Sequence, residues 1–123
     1  MAAISALFVR KHIAAAARIA DKRALWALVG LSPEAAEDPE AEVAPEAYFA
    51  LLETIAASEA PEVRFLTEVC AAMRCEEFGA IGLALKSAPT LRHAFLRQAR
   101  YARRFNSAST FAFEDAGAVY RFT

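Results

Sequence analysis

The chain has no run of about 18 consecutive apolar residues, and this excludes a membrane-spanning helix. Cysteine is scarce: Cys70 and Cys75 stand alone. Their spacing matches neither a zinc-binding pair nor a redox CxxC, and five positions apart on a helix they would not share a stripe. Both are expected to be reduced, buried, cytosolic thiols. No signal peptide is expected, because Arg10, Lys11 and His12 follow the apolar segment Ala2–Val9 where a leader would place its bases first. No nucleophile elbow, paired His/Asp signal or glycine-rich phosphate loop occurs, so the sequence supplies no enzymatic machinery. His12 and His93 have no acid or cysteine at metal-ligand spacing, so no metal and no cofactor is expected. Internal repeats and low-complexity tails are absent as well. A net charge of −1 argues against electrostatic binding of nucleic acid by the chain as a whole.

What is present is an apolar fraction of 57%, much of it alanine, in 123 residues. That length suits a single domain over residues 1–123 with a real core. The charges are segregated. Residues 32–62 carry only acids among their charged positions, and residues 86–104 carry only bases: Lys86, Arg92, Arg97, Arg100, Arg103 and Arg104. Such segregation can steer partners, though two solvated faces of one domain are the commoner outcome.

Helical patterning dominates most of the chain. Ile4 to Ala20 reads as one helix. Lys22 to Val29 follows, capped by Asp21 and ended by Gly30. Ser32 and Pro33 start a further turn, and residues 36–44 read as an acidic loop. Pro45 opens a helix to Ser58 with Phe49, Leu52, Ile55 and Ala56 at three-to-four spacing. A second begins at Pro61, with Phe65, Leu66, Val69 and Cys70 as its inward stripe. Ala80 to Lys86 is nearly all apolar and is expected to be a short buried helix, with a buried strand as the alternative. Thr90 to Phe105 is amphipathic: Leu91, Ala94, Phe95, Gln98, Ala102 and Phe105 line one face and arginines the other. After Asn106 the pattern changes to alternation, with Phe111 and Phe113 on one side and Thr110 and Ala112 on the other. A turn at Asp115-Ala116-Gly117 and a strand Ala118–Phe122 complete a hairpin. The fold class is therefore α+β: an N-terminal helical bundle, then an antiparallel hairpin packed on the arginine-rich helix. A two-stranded hairpin is marginal in water, so further strands or a second copy are expected against it.

The segments Gly79-Ala80-Ile81-Gly82, Ser87-Ala88-Pro89-Thr90-Leu91, Ala94-Phe95 and Arg100-Tyr101, with the upstream run Leu25 to Leu31, resemble the N-terminal regulatory, arabinose-binding-type domain of a subgroup of AraC-type transcription regulators. The similarity runs from about Leu7 to Phe122. This chain departs from the family pattern at Arg64-Phe65-Leu66, at Leu96 and at Gln98. The resemblance implies a cytoplasmic sensing and dimerising half of a bacterial regulator, binding a small-molecule effector. DNA would be read only through helix-turn-helix motifs that the chain lacks. The alternative reading is a free-standing small-molecule- or haem-binding sensor.

The ligand-binding candidates are Gln98, Tyr101, Trp26 and Tyr48. Gln98 interrupts an apolar face, where it would either hydrogen-bond an effector between helix and sheet or be satisfied by backbone in a core. Trp26 and Tyr48 would line a pocket or fill the core. Leu96, among arginines, marks either a dimer contact or an ordinary surface leucine. The arginine face itself is read as a solvated surface pairing with the acidic region.

Overall fold

The computed structural model describes residues 1–115 and 120–122. The architecture is α+β and mostly helical, and the chain divides into two compact units, residues 1–73 and 74–123.

The first unit opens with strand β1 (Ile4–Ser5), which pairs antiparallel with β2 (Glu42–Val43); Ile4 faces Val43 and Ser5 faces Glu42. This pairing removes the first two residues of the expected Ile4–Ala20 helix. Ser5 then caps helix α1 (Ala6–Ala15), its Oγ accepting from Leu7 N–H at 3.2 Å. Ala16, at φ −77° and ψ 69°, takes the chain out of the helix early. The residues expected to form only an acidic loop thus contain the strand that pairs with β1.

Helix α2 (Arg23–Val29) begins where Asp21 Oδ1 accepts from Arg23 N–H at 3.0 Å and ends at Gly30, whose φ of 72° suits a residue without a Cβ. Ser32 Oγ accepts from Ala35 N–H at 3.0 Å to start a 3-10 turn at Ala35–Glu37. Helix α3 (Pro45–Glu59) starts at the proline, as its missing N–H allows. Of the expected set only Ile55 is fully buried, together with Leu51; Leu52 and Ala56 pack against the core from partly covered positions, and Phe49 is 49% exposed. Tyr48 and Leu52 only border the core.

Helix α4 (Phe65–Ala72) starts four residues after Pro61. Its inward stripe is Phe65 and Val69 alone; Leu66 and Cys70 face out, because a two-turn helix with one packed side can bury only the i, i+4 pair. The expectation of a buried Cys70 is therefore corrected: it is exposed, and Cys75 is only half-buried. Ile4, Val9, Ile13, Leu25, Leu51, Ile55 and Phe65 are the centre of one core. Burying a side chain of this size stabilises by about 1.5–3 kcal/mol.

In the second unit a 3-10 turn (Cys75–Phe78) leads into helix α5 (Gly79–Lys86), which packs back on that turn. The close approach is made at Gly82: a Cβ there would lie 1.6 Å from the Cys75 carbonyl oxygen. Helix α5 is helical as expected but not buried. Among the described residues of this unit Gly82 alone is fully covered, and Leu83 is 67% exposed.

Pro89 separates α5 from α6 (Leu91–Tyr101), whose first turn is capped by Thr90 Oγ1 accepting from His93 N–H at 3.2 Å. Arg97 donates to the Ala84 carbonyl at 2.5 Å and ties the two helices together. A 3-10 turn (Ala102–Arg104) extends α6. Strands β3 (Phe113–Asp115) and β4 (Tyr120–Phe122) pair antiparallel, Phe113 opposite Phe122. The hairpin meets the arginine-rich helix through Phe113, whose ring stacks on Phe95 at 5.8 Å. Phe78 and Phe105 meet edge to face at 4.9 Å. Phe111 and Phe113 are half-covered while Thr110 and Ala112 are exposed, the alternation expected of this segment. Ala116 and Gly117 of the expected turn, and Ala118 and Val119 of the expected strand, lie outside the described residues.

Candidate functional site

The four sequence-predicted ligand residues fall in different units. Trp26 on α2 and Tyr48 on α3 are half-buried against the core of the first unit. Gln98 and Tyr101 lie on α6 in the second, three positions apart and so on one side of the helix. Gln98 is exposed and Tyr101 is 38% exposed. The expectation of a glutamine within a covered apolar face is corrected: Gln98 is exposed and so is Leu91 at 69%, while Ala94, Phe95, Ala102 and Phe105 of the same face are half-buried. Leu96, at 39% exposure, is a surface residue. The Arg100 guanidinium lies over the Tyr101 ring, 5.5 Å from its centroid.

Tyr48 belongs to an aromatic group that the sequence did not disclose. The His12 ring meets Tyr48 edge-on at 5.5 Å and Phe65 at 5.9 Å. His12 is 5% exposed, and its Nδ1 lies 2.6 Å from the Phe8 carbonyl, one helical turn back. A carbonyl only accepts, so Nδ1 carries the hydrogen and Nε2 is left as an acceptor. Burial holds the His12 pKa below that of a free imidazole, against the opposing pull of the Phe8 bond. Burial likewise pushes the Tyr48 hydroxyl up to about 12. Both groups are therefore neutral near pH 7. The available signal was the position of His12 one turn after Phe8 and one residue before the core residue Ile13.

A second feature lies where the C-terminus of α3 meets the N-terminus of α4. Glu59 is 6% exposed, and its Oε2 accepts from the N–H groups of Arg64 at 2.9 Å and Phe65 at 3.0 Å. A carboxylate at this position satisfies donors that the first turn of α4 cannot pair internally, and it complements the helix dipole. Beside it is a cleft of about 170 Å³ lined by Ala17, Arg18, Glu59, Glu62, Arg64 and Glu68. Arg18 Nη1 donates to the Glu59 carbonyl at 3.2 Å, and Arg64 pairs with Glu62 at 2.6 Å. The acidic half of the charge segregation is the half that holds this cleft: residues 1–73 contain eleven acids and six bases, residues 74–123 four acids and eight bases.

Among the described residues no cluster of three or more His, Cys, Asp or Glu side chains has the geometry to hold a metal ion, and no helix is long and apolar enough to cross a membrane.

No curated protein matches the sequence significantly. A family model does: the one described as the arabinose-binding domain of AraC transcription regulator, N-terminal, matches residues 20–123. That match takes in α2 through β4, including the Glu59 cap, the Gly82 contact and the arginine-rich helix. The chain therefore belongs to the family of N-terminal, arabinose-binding-type domains of AraC transcription regulators.

Proposed function

We propose that the chain is the effector-sensing domain of an AraC-type regulator, that it acts in the cytoplasm without catalysing a reaction, and that it self-associates. The observation that carries this reading is the family match across residues 20–123. A small molecule bound here transmits a signal only if it favours one conformation or one dimer arrangement over another. We assign ligand contact to two separate candidate pairs, Trp26 and Tyr48 within the first unit and Gln98 and Tyr101 within the second. Their chemistry supports it, since each presents a flat or apolar body together with a hydrogen-bonding group. Self-association draws on the exposed Leu83, Leu91 and Leu96, which are large apolar side chains left open on α5 and α6.

The test is a thermal-shift screen of sugars, amino acids, fatty acids and nucleotides, run beside sedimentation equilibrium. A true effector at one hundred times its Kd stabilises by about 2.7 kcal/mol and raises Tm by several degrees. Silence from all four classes overturns sensing. A clean monomer at high concentration overturns self-association.

A further inference from the structure

Two exposed helix faces, one in each unit, consist of an apolar side chain framed by charges of a single sign. On α3, Phe49 is open, with the exposed Glu46 three positions before it and the exposed Glu53 four positions after it, so the three share one side of the helix. On α6, the exposed Leu96 stands four positions after Arg92 and four before Arg100, and the exposed Arg103 follows in the 3-10 extension. Among the described residues Glu46, Glu53, Arg100 and Arg103 form no ion pair. Arg100 lies over the ring of its own neighbour Tyr101. The sign is uniform around each face, because residues 32–62 carry only acids among their charged positions and residues 86–104 only bases.

A docking surface keeps its charges at the rim and an apolar anchor at the centre. Both faces have that layout, with opposite signs. Packing α6 on α6 would set arginine against arginine, and packing α3 on α3 would set acid against acid; like-charge juxtaposition opposes both. Unlike faces match in sign and in their apolar centres. We infer that α3 of one copy of this chain docks on α6 of a second copy, with Phe49 and Leu96 packed together at the centre. Glu46 and Glu53 then meet Arg92, Arg100 and Arg103 at the rim. Arginine suits both parts of such a face, since its planar fork pairs with carboxylates and also stacks on an aromatic ring such as Phe49. Exchanged twice about a two-fold axis, the contact closes a dimer. The apolar anchors supply most of the affinity, and the rim charges select the partner face and speed the encounter. The inference rests on the self-association reading above and names the surface that Leu96 meets.

The experiment is sedimentation equilibrium of the full chain at about 50 mM and about 500 mM NaCl, since salt screens exposed charges. Two charge-reversed chains accompany the wild type, with circular dichroism as the check that each is folded. Glu46→Lys with Glu53→Lys turns the α3 face basic, and Arg100→Glu with Arg103→Glu turns the α6 face acidic. The wild type should associate at least about tenfold more weakly at the higher salt. Each reversed chain alone should associate at least about tenfold more weakly than the wild type at the lower salt, because its two faces now carry the same sign. An equimolar mixture of the two should recover association as a mixed dimer, which a merely misfolded variant could not do. Phe49→Ala and Leu96→Ala should each weaken wild-type association by about tenfold. Association that neither salt nor charge reversal alters overturns the inference while self-association stands. Folded reversed chains that stay monomeric when mixed overturn it in the same way. A wild type that is monomeric at every concentration in low salt overturns both the inference and the self-association reading.

Discussion

Gly82→Ala separates a local from a tertiary account of helix α5. Alanine is the better helix former by about 1 kcal/mol, and Gly82 lies inside α5, so propensity alone predicts stabilisation. The structure predicts the reverse. The added Cβ would sit 1.6 Å from the Cys75 carbonyl oxygen and 2.6 Å from its carbon, whereas real Cβ contacts almost never fall below 3.0 Å. The obstacle is backbone, not the free end of a side chain, so the helix and the 3-10 turn must part by more than 1 Å. Overpacking of this kind costs about 3 kcal/mol, or more where backbone has to move. Set against the propensity gain, the net effect is a loss of about 2 kcal/mol, or roughly 8 °C in Tm for a chain of this size. Thermal unfolding followed by circular dichroism measures it, with Ala84→Gly as the control that should cost only the propensity term of about 1 kcal/mol. An unchanged or raised Tm for Gly82→Ala would refute the close approach.

Two further outcomes follow from single groups. His12 has a lowered pKa when folded, so between that value and 6.5 the unfolded chain binds the extra proton. Its stabilising contribution is complete above pH 6.5 and is lost as pH falls toward the folded value, by at most about 1.4 kcal/mol per pH unit. Urea unfolding at pH 7.5 and 5.5 should therefore show a larger loss for the wild type than for His12→Gln; equal losses would contradict a neutral buried imidazole. Thr90→Ala removes the side-chain acceptor at the start of α6 and should cost about 1 kcal/mol, whereas Thr90→Ser should cost little; equal losses in chemical denaturation would deny the cap.

Much of the helical layout was legible in the sequence. Prolines and glycines stop and start helices through single-residue backbone restrictions, so Gly30, Pro45 and Pro89 bounded elements at or near their observed positions. Ser32 and Thr90 were readable for the same reason, because a cap reaches only two or three residues along the chain. The elements that were missed depend on distant partners. Ile4–Ser5 becomes a strand because Glu42–Val43 lies beside it, some 38 positions away, and no local pattern encodes that meeting. Helix α4 starts late because a carboxylate from the end of α3 caps it. The candidate site was less legible still. Tyr48 could be named as an aromatic, but His12 and Phe65 join it from α1 and α4. The cleft beside the Glu59 cap is lined by Ala17, Arg18, Glu59, Glu62, Arg64 and Glu68, which the sequence keeps apart.

By itself the sequence determined that the chain is mostly helical, that a hairpin closes it, that its charges are segregated, and that its pattern is that of an AraC-type regulatory domain. These are properties of periodicity, composition and short motifs, and each is set within a few residues or summed over many. The tertiary structure decided which apolar stripes are covered, so that Leu51 and Val69 are buried while Phe49, Leu66 and Gln98 face outward. It also decided which charges find partners, as Glu59 does at the start of α4. Burial and pairing are relations between segments far apart in the chain, fixed only when packing brings their surfaces together.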